Sequence, residues 1–217
     1  MIDAERIAEL DPAVERWFRF LYPVLGLVPD AYRIWKIGNL YHQQGDLDTA
    51  NRYERLNHVL HNSSIPSSAQ LGDGVVFGYG GIGLIIHHAA EIGNKVTINS
   101  GVTLGARQGR TKRLLPDGSW SGVPKIEDFA YIATGSKILG GVTVGALSIV
   151  GANSVVINDV PPLAIVAGAP ARITGRIDLQ NYRRYQGVFV SLSKLSDGEF
   201  SELVMSVMER GGNGDTS

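Results

Sequence analysis

Aliphatic residues recur every six positions through the middle of the chain, and a small or branched residue follows most of them four places later. A period of six fits neither an amphipathic helix, with its period of 3.6, nor a half-buried strand, with its period of two. It is typical of a hexapeptide β-helix, in which each hexad forms one flat side and three hexads close a triangular coil. The hexads open at Ile65, Leu71, Ile86, Ile92, Ile98, Leu104, Ile126, Ile132, Ile138, Val144, Val150 and Val156.

The openers are expected to point into the prism, and the residues four places later to fill space near its corners. Those residues are Ala69, Val75, Ala90, Val96, Val102, Ala130, Ser136, Val142, Ser148, Ser154 and Val160. Leu104 alone breaks the rule, because its hexad runs into Gln108. Glycine also follows several openers at the predicted bend, where a missing Cβ favours a tight turn. These glycines are Gly72, Gly93, Gly105, Gly145 and Gly151.

The pattern divides the chain into a helical region at 1–62, a β-helix domain at 63–173 and a tail at 174–217. The solenoid pattern ends at 160–162, since the two prolines there cannot donate to another strand ladder. We therefore predict a mainly β fold, a parallel β-helix of hexapeptide repeats with an N-terminal helical region and a short C-terminal helix.

Helix-start signals mark the first region, at Asp11-Pro12, Pro29-Asp30 and Gly45-Asp46. The tail carries a further helical pattern through Phe200, Leu203 and Val207, followed by a C-terminus that is predicted to be disordered from Gly211 onwards.

The composition excludes several classes of protein and of binding site. A net charge of −1 argues against nucleic-acid binding, which normally requires a strongly basic face. The chain has no cysteine, which excludes disulfides and thiolate metal sites and permits a reducing cytoplasm. The most apolar early stretch, from Trp17 to Val28, is shorter than the roughly 20 residues of a spanning helix, and no signal peptide is expected before it. It is expected to pack in a subunit contact, with peripheral membrane contact as the alternative.

Two interruptions break the six-residue period, and insertions in a solenoid project from the prism, where function is to be sought. Between Leu71 and Ile86 the register gains three residues, in the stretch 77–83. Between Leu104 and Ile126 a long loop emerges. Its notable residues are Arg107, Arg110, Lys112, Arg113, Trp120 and Lys125.

Four segments around these interruptions carry a family resemblance. They are the stretch GYGGIGLIIH at 78–87, GVTLG at 101–105, IATGSKILG at 132–140 and VAGAPAR at 166–172. Together they resemble the left-handed β-helix acyltransferases, in the branch of serine acetyltransferases and bacterial polysaccharide O-acetyltransferases. The resemblance covers residues 30–175 and is far more specific for the family than for the acceptor.

The resemblance implies a left-handed coil and a cytoplasmic, bacterial homotrimer that binds acetyl-CoA in a groove between adjacent prisms. The reaction would be direct transfer to a hydroxyl with a histidine as general base, without an acyl-enzyme. His87 lies at the family's motif position and is the predicted base, and its neighbour His88 would orient it, face solvent or exchange roles with it. The other histidines, His42, His58 and His61, are assigned to the surface or to packing.

Further site residues follow from the same resemblance. For the acetyl-CoA cofactor it indicates backbone contacts at Gly105, Ala106, Thr134 and Gly135, and Gly151 and Ala152 continue the same groove one coil further on. The basic side chains of Lys137, Arg172 and Arg176 could meet the CoA phosphates, since a charge-assisted bond to phosphate is strong. For the acceptor it indicates Tyr79, His88, Arg107 and Arg110, and the basic loop could equally meet CoA phosphates. Trp120 is assigned to catalysis through contact with acceptor or cofactor, or else it pins the loop down. No metal is expected.

Departures from serine acetyltransferase favour another acceptor. The usual Asp-His pair should fall near Gly78 and Tyr79, the second histidine of the long loop is absent, and the helical region is short. We therefore expect a sugar hydroxyl, on a polysaccharide, glycolipid or nucleotide sugar, with serine as the alternative and a non-catalytic scaffold as a third. A zinc carbonic anhydrase of this shape needs three histidines across neighbouring coils, and the solenoid has only His87 and His88.

Overall fold

The computed structural model describes residues 28–107 and 113–212. The helix start at Asp11-Pro12, nearly all of the apolar stretch that begins at Trp17, the loop residues Arg110 and Lys112, and the C-terminal residues 213–217 lie outside these ranges.

Short parallel strands build three sheets, and successive hexads visit the sheets in turn. Sheet 1 contains β1 (Gln70–Leu71), β4 (Glu91–Ile92), β9 (Lys125–Ile126) and β12 (Thr143–Val144). Sheet 2 contains β2 (Val76–Phe77), β5 (Thr97–Ile98), β10 (Tyr131–Ile132), β13 (Ile149–Val150), β15 (Ala164–Gly168) and β16 (Ala171–Arg176). Sheet 3 contains β3 (Ile85–Ile86), β6 (Thr103–Gly105), β11 (Lys137–Leu139) and β14 (Val155–Val156).

The register places each opener over the opener one coil away, as in the pairs Ile98 with Ile132 and Ile132 with Val150. All openers except the partly exposed Leu71 are buried, and together they form the main hydrophobic core. The described residues four places after the openers are buried as well. The six-residue period therefore correctly predicts a three-sided parallel solenoid and the identity of its core.

The structure corrects two details of the coil pattern. Phe77 opens a hexad of its own on sheet 2, where it pairs with Ile98, so the extra residues lie after it rather than around it. The prolines at 161–162 do not end the solenoid, because β15 continues it by pairing in parallel with β13. Antiparallel β16 then closes sheet 2.

The structure also gives a different reason for glycine at the positions that follow the openers. None of them has a positive φ. A Cβ on Gly72 would lie 2.6 Å from the backbone of Gly93, and a Cβ on Gly145 would lie 2.4 Å from the nitrogen of Pro162. Glycine is required there because neighbouring coils approach closely.

Two helices cover the start of the prism. They are α1 (Ala31–Gln43) and α2 (Leu47–His61), and the side chains of Asp30 and Asp46 cap their N-termini. These caps agree with the helix-start signals in the sequence. Trp35 packs into the solenoid core, and the hydroxyl of Tyr32 donates to the carbonyl of Gly72 at 3.0 Å.

The tail covers most of the outer surface of sheet 2. It consists of α3 (Tyr182–Gln186), a 3₁₀ turn (Val190–Leu192) and α4 (Asp197–Gly212), which contains the predicted helical pattern. A second core of Phe189, Phe200 and Val204 packs here with the outward-facing Ile149 of the sheet. Sheet 3, in contrast, keeps its outward-facing Ile85 53 % exposed. No helix in the described ranges is long and apolar enough to cross a membrane.

Candidate functional site

Small residues line the edge where the chain passes from sheet 2 to sheet 3, which we call the 2–3 edge. Three of them, Gly101, Gly135 and Asn153, adopt positive φ angles of 69°, 76° and 54°. Gly101 and Gly135 stack closely, since a Cβ on Gly101 would lie 3.7 Å from the Cα of Gly135. The predicted cofactor residues Thr134, Gly135, Gly151 and Ala152 all follow sheet 2 strands at this edge.

Two predicted phosphate ligands also belong to this side of the prism. The ammonium group of Lys137, on β11, donates to the carbonyl of Gly101 at 2.7 Å, so it already ties one coil to the next. Arg172 lies on β16, donates to the carbonyl of Ala171 at 2.9 Å and is exposed. Arg176, at the end of the same strand, is exposed as well.

The first insertion forms a turn at the N-terminal end of the 2–3 edge. Its 3₁₀ segment (Gly78–Gly81) contains Tyr79, which is 75 % exposed and has a φ of 55°. The hydroxyl of Ser63 braces the turn by donating to the carbonyl of Gly81 at 2.5 Å and accepting from the amide of Leu84 at 2.9 Å. The ring of His61 lies beside Gly80. Neither contact is visible in the periodicity, because both residues precede the first hexad opener, Ile65.

His87 and His88 lie at a different edge, where the chain leaves sheet 3 for sheet 1. We call it the 3–1 edge. Their rings are 4.4 Å apart between centroids. His87 is half-buried and His88 is exposed. Burial, and then the charge of His88, lower the pKa of His87 and so favour the neutral ring. Its Nδ1 accepts a hydrogen bond from the amide of Ala89 at 3.1 Å, which leaves the proton on Nε2.

The predicted residues Gly105, Ala106 and Arg107 lie at this 3–1 edge too, where the long loop begins. The loop folds into a hairpin of β7 (Arg113–Leu114) and β8 (Trp120–Ser121). The guanidinium of Arg113 binds the carboxylate of Glu91 on sheet 1. Trp120 is 62 % exposed, so within this chain it is not a buried pin for the loop.

The predicted site residues therefore divide between two edges of sheet 3. The 2–3 edge holds Tyr79, Thr134, Gly135, Gly151, Ala152 and Arg172, and the 3–1 edge holds His87, His88, Gly105, Ala106 and Arg107. The strands between them have two or three residues, a span of about 10 Å at roughly 3.3 Å per residue. One chain does not bring the two groups together.

A cavity among the described residues lies elsewhere, between sheet 1 and α4. Its volume is about 570 Å³, and its wall includes Glu91, Lys125, Asp128 and Arg210. None of the predicted site residues lines it. Within residues 28–107 and 113–212, no three His, Cys, Asp or Glu side chains are grouped so that they could hold a metal ion.

Comparisons with known proteins point to one family, although no protein-family model matches the chain. The serine acetyltransferase of Bacillus subtilis is 33 % identical over 184 residues, which are 84 % of this chain and 77 % of that protein. The serine acetyltransferase of Haemophilus influenzae is 33 % identical over 80 % of this chain and 61 % of its own length. A solved serine acetyltransferase in complex with CoA superposes with a TM-score of 0.57 at 32 % identity, covering 66 % of this chain and 55 % of that one. The chain therefore spans little more than half of that structure and about three fifths to three quarters of the two relatives. The chain belongs to the serine acetyltransferase family of hexapeptide-repeat acyltransferases.

Proposed function

We propose that the protein transfers an acetyl group from acetyl-CoA to the side-chain hydroxyl of serine. The observation that carries this proposal is the similarity to serine acetyltransferases over more than four fifths of the chain. The solved relative with CoA bound supports acetyl-CoA as the donor. The relatives do not support the sugar hydroxyl expected from the sequence. They favour serine, the alternative acceptor expected from the sequence.

We place the donor along the 2–3 edge. Thr134 and Ala152 are exposed there beside glycines, so a pantetheine arm could lie against the backbone without meeting large side chains. Arg172 is free to pair with a phosphate, since its only hydrogen bond among the described residues goes to the adjacent carbonyl of Ala171. Such charge-assisted pairs with phosphate are strong. Lys137 is a weaker candidate because it is bound to Gly101.

The active site would form between subunits of a trimer of left-handed prisms. The two groups of predicted residues flank sheet 3, and the described part of the tail, up to residue 212, does not cover the outer surface of that sheet. If sheet 3 faces its neighbours around a threefold axis, the 2–3 edge of one subunit meets the 3–1 edge of the next. This arrangement would bring His87, Gly105 and Ala106 of one subunit to the donor site of another.

Chemistry in such a site needs no covalent intermediate. A histidine takes the proton of the serine hydroxyl while its oxygen attacks the thioester carbonyl, and hydrogen-bond donors stabilise the oxyanion. His87 is the base that the sequence predicts. An aspartate in place of Gly78, where the Asp-His pair is expected, would require the side chain of Asn99 to move, since a Cβ there would lie 2.2 Å from Oδ1 of Asn99.

The test is thiol release from acetyl-CoA by the purified full chain. We expect release with L-serine and little with D-serine, glucose or a nucleotide sugar, together with O-acetylserine as the product by mass spectrometry. Thiol release with a sugar but not with serine would contradict serine as the acceptor, while acetyl-CoA would remain the donor. CoA binding without transfer to any hydroxyl would support a scaffold, and sedimentation would show whether the protein is trimeric.

A further inference from the structure

The histidine at the end of α2 is held against the first insertion. His61 is 8 % exposed. Its carbonyl accepts a hydrogen bond from the amide of Gly83 at 3.0 Å and lies 3.1 Å from the hydroxyl oxygen of Ser63, which shares its one proton between this carbonyl and the nearer one of Gly81. These contacts fix the residue where α2 meets the turn at 78–83, at the N-terminal end of the 2–3 edge.

One hydrogen bond determines which ring nitrogen of His61 carries the proton. Nε2 lies 2.9 Å from the carbonyl oxygen of Pro29. A carbonyl oxygen only accepts, so Nε2 must donate. In the neutral ring Nδ1 is then unprotonated, and it has no hydrogen-bond partner within the described ranges. A ring held in this way presents a basic nitrogen, as the carbonyl partner of one imidazole nitrogen sets the state of the other.

Nδ1 of His61 lies next to the space that a side chain at Gly80 would occupy. A Cβ on Gly80 would lie 3.9 Å from Nδ1 of His61 and 3.8 Å from its Cε1, and apart from the chain neighbours no other heavy atom of residues 28–107 and 113–212 would lie within 4 Å. The φ of Gly80 is +73°, which favours glycine. The missing side chain therefore leaves a space in which a small polar group could reach Nδ1.

His87 offers the opposite nitrogen. Its Nδ1 accepts a hydrogen bond from the amide of Ala89, so the nitrogen without a partner in the part of the chain that the structure describes is the protonated Nε2. As placed, His87 can donate a hydrogen bond to an oxygen but has no free lone pair to accept a proton. Of these two histidines, His61 is the one whose lone pair is free.

We propose that His61 is the proton acceptor of the transfer reaction, with the acceptor hydroxyl lying over Gly80. This inference rests on the proposed acetyl transfer. Nδ1 takes the hydroxyl proton as the oxygen forms a bond to the thioester carbonyl carbon. The C–S bond then breaks, and the protonated imidazole returns the proton to the leaving CoA sulfur. The turn lies on the 2–3 edge, in line with Gly101 and Gly135 where the donor is placed.

The first test compares two histidines of α2. His61→Gln keeps an amide N–H that can donate to Pro29 but offers no base, and His58→Gln removes the exposed His58 as a matched control. We expect His61→Gln to lower kcat by about 10²–10⁴-fold, the typical contribution of a positioned base. CoA affinity by calorimetry and cooperative thermal unfolding should be retained, and His58→Gln should leave all three unchanged.

A second test separates basicity from packing. His61→Gly removes the ring, and added imidazole should restore part of the lost rate while pyrazole, similar in size but a much weaker base, should not. A purely structural ring would be replaced equally well by both molecules or by neither. Equal effects of the two compounds, or none, would therefore overturn the proton-acceptor role.

A third test fills the space over the turn. Gly80→Ala should lower kcat/KM for the acceptor by about 10²-fold, the loss that a displacement of about 1 Å can cause. Gly45→Ala is the control, because Gly45 has a similar φ of +81°, and apart from its chain neighbours no heavy atom of the described residues lies within 4 Å of its Cβ position. It introduces the same backbone strain far from the turn and should leave kcat/KM unchanged.

The outcomes separate the two proposals. If the wild-type protein transfers acetyl and His61→Gln retains that activity within about tenfold, the role of His61 is overturned and the proposed function stands. If the wild-type protein releases no thiol with any hydroxyl acceptor, the proposed function fails, and the role of His61 fails with it.

Discussion

Arg113 binds Glu91 at 2.5 Å and thereby fastens the long-loop hairpin to the face of sheet 1. The two side chains are only 14 % and 33 % exposed. The Nε of Arg113 is buried and has no hydrogen-bond partner within the described ranges. The pair therefore supplies the charge compensation that this arginine needs, and it sets where the hairpin with Trp120 begins.

Removing only one side chain of the Glu91–Arg113 ion pair should lower the free energy of unfolding more than replacing both. Glu91→Ala leaves a largely buried guanidinium without its carboxylate, and we expect a loss of about 1–3 kcal/mol in the free energy of unfolding. The double variant Glu91→Ala with Arg113→Met should recover part of that loss, because no unpaired charge remains. Urea unfolding of both variants checks this, and limited proteolysis reports whether the hairpin is released. A double variant less stable than Glu91→Ala would contradict the prediction.

The lowered pKa of His87 gives a pH dependence with a definite sign. Burial is the larger cause and the neighbouring His88 the smaller. Because the folded protein binds this proton less readily than the unfolded chain, protonation favours unfolding. The stability contribution is complete above the unfolded pKa of about 6.5 and is lost as the pH falls through that value towards the lowered folded pKa.

His88→Asn should raise the pKa of His87 without restoring it fully, since burial remains. A proton NMR titration of the two proteins measures the shift directly, and His87→Asn identifies the resonance. Thermal unfolding at pH 7.5 and pH 5.5 should show a smaller loss on acidification in His87→Asn than in the wild type. An unchanged titration midpoint in His88→Asn would mean that burial alone lowers the pKa.

A side chain at Gly78 would clash with Asn99, so a substitution at Asn99 should reduce the loss of stability that a substitution at Gly78 causes. A Cβ at this position would lie 2.2 Å from Oδ1 of Asn99, whose side-chain amide donates to the carbonyl of Ile132. Gly78→Ala should therefore destabilise the protein by about 1–3 kcal/mol, as overpacking does. In an Asn99→Ala background the same substitution should cost less, because its steric partner is gone. Additive losses in a double-mutant cycle measured by urea unfolding would contradict this contact.

The solenoid could be predicted from the sequence because its core repeats locally. Each opener points into the core of its coil. The six-residue period therefore identifies buried residues such as Ile98 and Ile132 without knowledge of the fold. Phe77 occupies an opener position too, but the pattern did not identify it because it is aromatic and the other openers are Ile, Leu or Val. The continuation through β15 was missed because Pro161 and Pro162 lie before the strand and do not replace a ladder donor within it.

The candidate site depends on contacts that have no period. The sequence placed His61 in the helical region, and nothing in its spacing indicates a contact with a turn that begins 17 residues later. The two groups of predicted residues are each recognisable by motif, but their separation across sheet 3 follows only from the order of the strands. Hydrogen bonds at Pro29 and Ala89 then distinguish the free nitrogens of His61 and His87.

Trp120 and its cross-strand partner Leu114 allow the role of the hairpin to be tested with a matched pair. Both are exposed, at 62 % and 58 %, so neither Trp120→Ala nor Leu114→Ala should change the free energy of unfolding of a subunit by more than about 0.5 kcal/mol. If Trp120 contacts acceptor or cofactor in a site between subunits, Trp120→Ala should lower kcat/KM in the thiol-release assay while Leu114→Ala leaves it intact. Equal losses in both variants, accompanied by dissociation in sedimentation experiments, would instead mean that the hairpin holds neighbouring subunits together. Unchanged kinetics in Trp120→Ala would remove this residue from the catalytic assignment.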